Sequence, residues 1–426
     1  MKSSIKGFAL CTLLTTLIMP ANIHPQSSDE TTFIHAGHVL ADPGKVELFQ
    51  QTIVVTGGHI QEIIPGYLAP EDGTKLIDLT ASTVLPGLID SHTHLLMEFG
   101  PSAYMKSLTQ NSIDFAFDGA RNAETTLMAG FTTVQDLGGA SEAIFALRDA
   151  INRGNVRGPR ILAAGNQISA VLEFNANSMA TGCSGADECR RLTRQTIIDG
   201  ADVIKIVMSG GEPLSHLMPP IVFFEDEVSA IVDTAKSMDR KVTCHAMSRI
   251  NIQTCVRNGV HSIEHAAFLD EETVKLVKKH SVTIVPTMVI GPTLEDAAPM
   301  FGLNPSIAED FSESIVLAVS IAHKGGVNIV MGSDSGPAKH GLNAQELKLL
   351  TLAGMTPIEA IASATVRAAD HVGLSDQVGT LEPGKAADII AVDGEPTDNI
   401  EELFDGDFVM KGGKVYKGLS TSNLIE

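Results

Sequence analysis

The spacing of apolar positions changes character twice along the chain. From Phe33 to Leu85, short Val/Ile-rich stretches alternate with glycine turns, as in TIVVTGGHIQEII and GTKLIDLTAS. The end of the chain, from about Gly379 to Lys417, repeats that texture in KAADIIAVD and DFVMKGGKVYK. Between them, apolar runs too continuous for a one-sided strand predict buried strands at 87–94, 132–137, 160–165, 202–207, 241–246, 262–266, 283–287 and 328–336. Amphipathic stretches such as EDEVSAIVDTAKSMD and SRINIQTCVRNG separate them, the second closing at Gly259 as a helix end does. The pattern predicts an α/β chain with a (β/α)8 TIM-type barrel over 86–378. A small β-sandwich domain would be formed from both chain termini, 29–85 plus 379–426. A doubly wound open sheet is the alternative, but no GxGxxG follows a first strand.

Charge narrows the partners. The 426 residues carry 30 Lys plus Arg against 51 Asp plus Glu, a net charge of −21. That balance argues against nucleic acid, whose affinity needs clustered positive charge. With 44% hydrophobic and 19% charged residues, the chain has material for a large core. Aromatic residues are only 4% and Trp is absent, which disfavours ligand recognition by stacking.

The start, Met1 to Ser28, has Lys2 and Lys6 before the apolar run GFALCTLLTTLIM. That run is shorter than the roughly 20 residues that span a bilayer, so residues 1–28 read as a signal peptide. The expectation is an exported protein, periplasmic or secreted, without a stable membrane span once the signal is removed. Outside the cell, Cys183 and Cys189 could close a short disulfide or remain free thiols; Cys244, in VTCHA, reads as a small core residue.

The chemistry gathers at predicted strand ends, where barrels of this type carry catalytic groups. His92 and His94 end the first strand and, two apart, share one face. Lys205 lies between Ile204 and Ile206, His245 and His265 close later strands, and Asp334 sits in GSDSG. The histidines and Asp334 have ordinary explanations alone, a satisfied core histidine or a helix cap; Lys205 is the odd one, since a lysine in an apolar strand is costly to bury as a cation. One arrangement accounts for all six. A buried neutral lysine can add carbon dioxide to give a carbamate, whose two oxygens bridge two divalent cations. His92, His94 and Asp334 would then surround one ion and His245 and His265 the other, zinc being the natural choice for imidazoles. A bridging water activated there would be the nucleophile and Asp334 the catalytic proton shuttle, which is hydrolysis of an amide or ester-like bond.

With these residues placed, the chain resembles the metal-dependent amidohydrolase superfamily, in its binuclear subtype with a carboxylated lysine. VLPGLIDSHTH (84–94) resembles the first-strand motif and GTLEPGKAADIIAVDGEP (379–396) the strands returning to the small domain. TTVQDLGG, VIKIVMSGG, GVHSIEHA and GSDSGPAKHGLNAQEL are similar to the branch of Xaa-Pro and Xaa-Arg/Lys dipeptidases and ochratoxin-hydrolysing amidohydrolases. The resemblance implies a small-molecule amide or dipeptide substrate, two divalent metal ions and a homo-oligomer. An ochratoxin-type amide hydrolase releasing phenylalanine, or a lactone or cyclic-amide hydrolase on the same scaffold, is the alternative, and a non-catalytic scaffold is the remote one. Two positions depart from the branch: Gln135 where an Arg is common, and Glu212 where an apolar residue is frequent.

Substrate contacts are assigned on weaker signals. Gly210 and Gly211 would let backbone approach a ligand, or simply make a turn; His340 could contact the substrate's amide or carboxylate, or lie in solvent; Tyr104 is a candidate hydroxyl donor at the pocket mouth. Glu212, if it lines the pocket, favours a C-terminal Arg or Lys over Pro or Phe; otherwise it is a solvated carboxylate. Glu212→Val should therefore lower kcat/KM for Xaa-Arg and Xaa-Lys dipeptides relative to Xaa-Pro; an unchanged ratio removes the argument for basic substrates.

Overall fold

The computed structural model describes residues 30–418, apart from 71, 99, 101–104, 107–108, 171–179, 209–222 and 302–303, together with 424–425. The predicted signal segment therefore lies outside the described residues. Among those described, no helix is long and apolar enough to cross a membrane.

Strands β1 (Thr31–Val39), β2 (Leu48–Thr56), β3 (His59–Pro65) and β4 (Lys75–Pro86) open the chain. The middle contributes β5 (Leu88–Thr93), β6 (Phe131–Asp136), β7 (Arg160–Ala163), β8 (Gln167–Ala170), β9 (Ala180–Cys183), β10 (Ile204–Val207), β11 (Val242–Ala246), β12 (Ser262–His265) and β13 (Thr283–Val285). The end adds β14 (Ile389–Asp393), β15 (Phe408–Lys411), β16 (Lys414–Lys417) and β17 (Leu424–Ile425). Helices α1 (Ser112–Met128), α2 (Ser141–Asn152), α3 (Ala186–Asp199), α4 (Glu225–Ser237), α5 (Arg249–Arg257), α6 (Glu271–Lys279), α7 (Ile290–Ala297), α8 (Pro305–Gly325), α9 (Gln345–Leu352), α10 (Pro357–Ser363) and α11 (Val366–Val372) fill the intervals.

The two ends of the chain share one eight-stranded sheet, ordered β16-β15-β14-β4-β1-β2-β3 with β17 on β4. Its hairpins β2–β3 and β15–β16 turn at Gly57–Gly58 and Gly412–Gly413, all four residues at φ between 55° and 83°. Only glycine takes two consecutive such positions cheaply, and the resulting turn matches the twist of its strands. The two turns also touch: a Cβ on Gly58 would lie 2.8 Å from Gly412 O, and one on Gly413 would lie 2.8 Å from Gly58 Cα. The expected sandwich is thus seen as one continuous path of strands. Strand β14 explains the uninterrupted IIAV run: Ile389 and Ala391 enter one core with Ile34, Ile53 and Phe408, while Ile390 and Val392 face the other with Leu85 and Val409.

The middle forms parallel ladders β5-β6-β7 and β13-β12-β11-β10-β8-β9. Seven predicted strands are present, six of them shortened and β6 shifted by one residue at the same length, and β8 and β9 are additions that the pattern did not separate. The eighth, 328–336, is corrected: it makes isolated bridges, Ile329 to Ile284 and Ser335 to Thr93, rather than a ladder. The cause is local. Asp334 has φ +54° and Gly336 φ +132°, which bends the segment out of register. It still spans the gap, since Val330 N donates to Ile284 O at 3.0 Å and Asp334 N to His92 O at 2.8 Å.

Helix ends follow their caps. Asn111 and Thr356 each complete a capping box, Ser248 and Asp270 cap α5 and α6, and Gly259 follows α5 at φ +79°. Disulfides join Cys183 to Cys189 and Cys244 to Cys255, with Cα atoms 5.1 and 6.7 Å apart. Cys244 is therefore not a lone core thiol; α5 returns along β11 and brings the buried Cys255 against it.

Beneath the strand ends, His371 of α11 is buried and stacks on His261, ring centroids 4.7 Å apart. Neither ring nitrogen of His371 has a hydrogen-bond partner among the described residues. Burial, helped by the charges of His261 and Lys241, depresses its pKa to about 3. A depressed imidazole is neutral in the fold and charges more readily when unfolded, so its stabilisation is complete above the unfolded value near 6.5 and lost as pH falls toward 3. His371→Leu should shrink the acid-induced loss of stability between those limits, by an amount on the order of 4 kcal/mol at the acid end. Urea melts from pH 7 to 4 check this; parallel pH curves for both proteins would refute it.

Candidate active site

The C-terminal ends of β5, β10, β11 and β12 and the bent 328–336 segment converge on one buried space. His92 and His94 leave β5 on one face, and their Nε2 atoms lie 3.4 Å apart. Asp334 Oδ1 stands 3.4 Å from His92 Nε2 and 3.2 Å from His94 Nε2. These three residues form a group that could hold a metal ion. The histidine rings continue inward: His92 to His265 at 5.2 Å between centroids, and His265 to His245 at 4.5 Å. Lys205 of β10 is 2% exposed, and its Nζ has no hydrogen-bond partner among the described residues.

Electrostatics record the crowding. Burial pulls the Lys205 ammonium down to about 8 against the carboxylates of Glu264 and Asp334. Burial, then the charge of Lys205, takes His245 to about 3. For Asp334, burial alone would raise the carboxyl, but His92, His94 and Lys205 together hold it below the ordinary carboxylate range. All six strand-end residues therefore share one electrostatic neighbourhood.

The backbone is shaped to present them. His265, Asp334 and Thr287 take φ +71°, +54° and +51°, uncommon for side-chain-bearing residues and characteristic of functional sites. In GSDSG the glycines permit close approach: a Cβ on Gly332 would lie 2.9 Å from His92 Cβ, and one on Gly336 2.7 Å from His94 Cβ.

A second ring of residues, missed in the sequence, fixes the imidazoles. Buried Glu264 of β12 accepts from His92 Nδ1 at 2.7 Å, while Thr243 and Ser262 hold its other oxygen. His94 Nδ1 donates to Gly138 O at 2.8 Å, and Asp136 receives Leu95 N at 2.6 Å and Gly138 N at 3.4 Å. His265 Nδ1 meets the Thr287 hydroxyl at 2.6 Å. Burial lifts Asp136 and Asp90 to about 6 and Glu346 to about 8. The only sequence sign of this ring is the presence of acids inside apolar strands, IEH and VQD, where a carboxylate needs partners.

Of the expected substrate contacts, Tyr104, Gly210, Gly211 and Glu212 lie outside the described residues. His340 is half-buried, and its Nε2 donates to Met97 O at 2.8 Å, linking the segments that follow β5 and Asp334.

A cluster of buried imidazoles, a carboxylate and a lysine at the ends of parallel strands defines a hydrolase of the metal-assisted class. The family profile described as Amidohydrolase family matches residues 83–418, and the chain belongs to that family, in the branch shared by Xaa-Pro dipeptidases and ochratoxinase. It is 28% identical over 435 aligned positions to ochratoxinase of Aspergillus niger, covering 92% of this chain and 88% of that one. A solved Xaa-Pro dipeptidase with methionine in its active site is 32% identical with a TM-score of 0.83, covering 91% of this chain and all of its own. The solved A. niger ochratoxinase gives a TM-score of 0.78 at 26% identity, covering 92% of this chain and 96% of that one. The protein is thus an enzyme that hydrolyses C–N bonds.

Glu264→Gln tests the second ring. The amide can still accept from Thr243 and Ser262 but would donate to His92 Nδ1, leaving the ring proton on the nitrogen that faces the centre. Unfolding free energy should change by no more than about 1 kcal/mol, while amidase activity falls at least about tenfold. Full activity in a folded variant would refute the orienting role.

Proposed function

We propose that this chain is a binuclear metallohydrolase of dipeptides or N-acyl amino acids. One observation carries the reading: among the described residues Lys205 Nζ and His245 Nε2 are buried without hydrogen-bond partners, in one cluster with Asp334 Oδ1, which meets only the Nε2 atoms of His92 and His94. Such orphaned atoms cost about 1–3 kcal/mol each unless something binds them. Divalent cations would satisfy the imidazole and carboxylate, and addition of carbon dioxide to the neutral lysine amine, with loss of one proton, would give a carbamate anion. His92, His94 and Asp334 would hold one ion, His245 and His265 the other, with the modified Lys205 between them.

Divalent cations, Zn2+ by the donor set, would supply Lewis acidity toward a water and a scissile carbonyl. The chain's own residues do the rest. Asp334, ionised at neutral pH, accepts the proton at Oδ1 and returns it to the leaving amine. Glu264 and Thr287 keep the Nδ1 atoms of His92 and His265 engaged, so that Nε2 is left for the centre.

The amide of an amino acid is the favoured substrate class, because likeness to an Xaa-Pro dipeptidase and to ochratoxinase each extends over at least 91% of the chain. Release of phenylalanine from an ochratoxin-type amide is the second reading. The fold reading extends to a closed (β/α)8 barrel over 86–378 beside a sandwich-like β domain from both termini, and to a homo-oligomer. The leader-like start and two disulfides support export.

Zinc-replete expression should yield about two metal ions per chain, and Lys205→Ala should lose both metal and activity, with partial rescue by a short carboxylic acid. Metal content below about one per chain, or full activity of Lys205→Ala, would defeat the reading. A kcat/KM panel of Xaa-Pro, Xaa-Phe and Xaa-Arg dipeptides with N-acyl amino acids separates the substrate classes.

A further inference from the structure

Beyond the bend at Asp334, Asn343 just before α9 and Glu346 in its first turn are both fully buried polar side chains, three residues apart. They reach in different directions. Asn343 Nδ2 donates to Asp90 Oδ2 at 2.8 Å and contacts Ser333 Oγ at 3.2 Å. Asp90 in turn receives the backbone N–H groups of His92 and Ser333, each at 3.0 Å. Asp90 Oδ1 thereby fastens the backbone beside His92 to the residue preceding Asp334, and Asn343 braces the other oxygen of Asp90.

Glu346 reaches the other side. Its Oε1 and Oε2 receive the N–H groups of Met288 and Val289, both at 2.9 Å. Two successive N–H groups turned toward the oxygens of one buried carboxyl group hold the 288–289 turn in place. Immediately before them, Thr287 sits at φ +51°, an unfavourable setting for a β-branched residue, with its hydroxyl 2.6 Å from His265 Nδ1. Without a fixed 288–289 turn, Thr287 could relax toward ordinary φ and release the His265 ring.

We propose that Asn343 and Glu346 are a pair of positioning residues that lock the two halves of the site into one geometry. Asn343 acts through Asp90 and Ser333 on the His92 and Asp334 side, and Glu346 acts through the 287–289 turn on His265. The inference rests on the metal-site reading only for its metal readout. Neither residue reaches the reacting atoms; each acts through another.

The test uses the full chain expressed with zinc. Metal per chain is followed against increasing chelator, and amide hydrogen exchange is measured across 283–291. Glu346→Gln places an NH2 against one of the two N–H donors, and Thr287→Val removes the hydroxyl. Each should release metal at a roughly tenfold lower chelator concentration. The double variant should be no worse than the weaker single, because both break one path, and Thr287→Ser should restore wild-type retention. Exchange across 283–291 should rise in Glu346→Gln while β11, 242–246, keeps its protection. Additive losses, failure of Thr287→Ser to rescue, or wild-type retention in Glu346→Gln would overturn the proposal. If Glu346→Gln does not fold, Thr287→Val decides alone: unchanged metal retention refutes the path. If the wild-type chain holds no metal, the metal reading fails, and the lock is judged by exchange: no local rise in Glu346→Gln refutes it.

Discussion

Keeping charged and polar groups in a space that water scarcely reaches is the constraint around which this molecule is built. Lys205, the four strand-end histidines and Asp334 would each be better solvated on the surface, and desolvation leads the pKa shifts at Lys205 and His245. The fold tolerates them because short parallel strands, buried on both sides, supply rigid stems. Turns that follow the stems, several at positive φ, aim the side chains inward. An outer set of acids and hydroxyls, Glu264, Asp136, Thr287 and Asp90, then prevents the rings from rotating away to find other partners.

The same logic explains why the eighth strand position is irregular. A regular ladder at 328–336 would alternate side chains strictly and could not bring Asp334 Oδ1 to both His92 and His94. Glycines on both sides of Asp334 let the backbone press against these two histidines, and serines 333 and 335 tie the bend back through Asp90. Ladder hydrogen bonds are given up for side-chain ones, in the place where the chemistry needs a change of direction.

The terminal sheet plays a different part. By joining the first and last strands, it fixes both ends of the long βα segment. Arg160 of β7 pairs with the buried Asp388 at 2.9 Å, and Lys411 donates to Gly158 O at 2.6 Å, so the sheet is docked on the strand-bearing segment by charged contacts as well as by β14's second apolar face. The meeting of the Gly57–Gly58 and Gly412–Gly413 turns gives this closure a backbone contact in which no side chain would fit.

Much of this was legible in the order of residues. Period and punctuation placed seven of the middle strands and both β-rich ends, because burial on two faces leaves a continuous apolar run and tight turns demand glycine. HxH on one strand, a lysine between isoleucines and an aspartate between glycines announced a polar centre, since such residues are costly where the pattern puts them. The sequence did not disclose Glu264, Thr287, Asn343 and Glu346 as its supports, nor the Cys244–Cys255 bond, because their partners lie up to 253 positions away, the separation of Asn343 and Asp90. Composition and spacing determine which groups must be buried. Only the tertiary structure decides which neighbour satisfies each of them, because that depends on distances between strands that are remote in the chain.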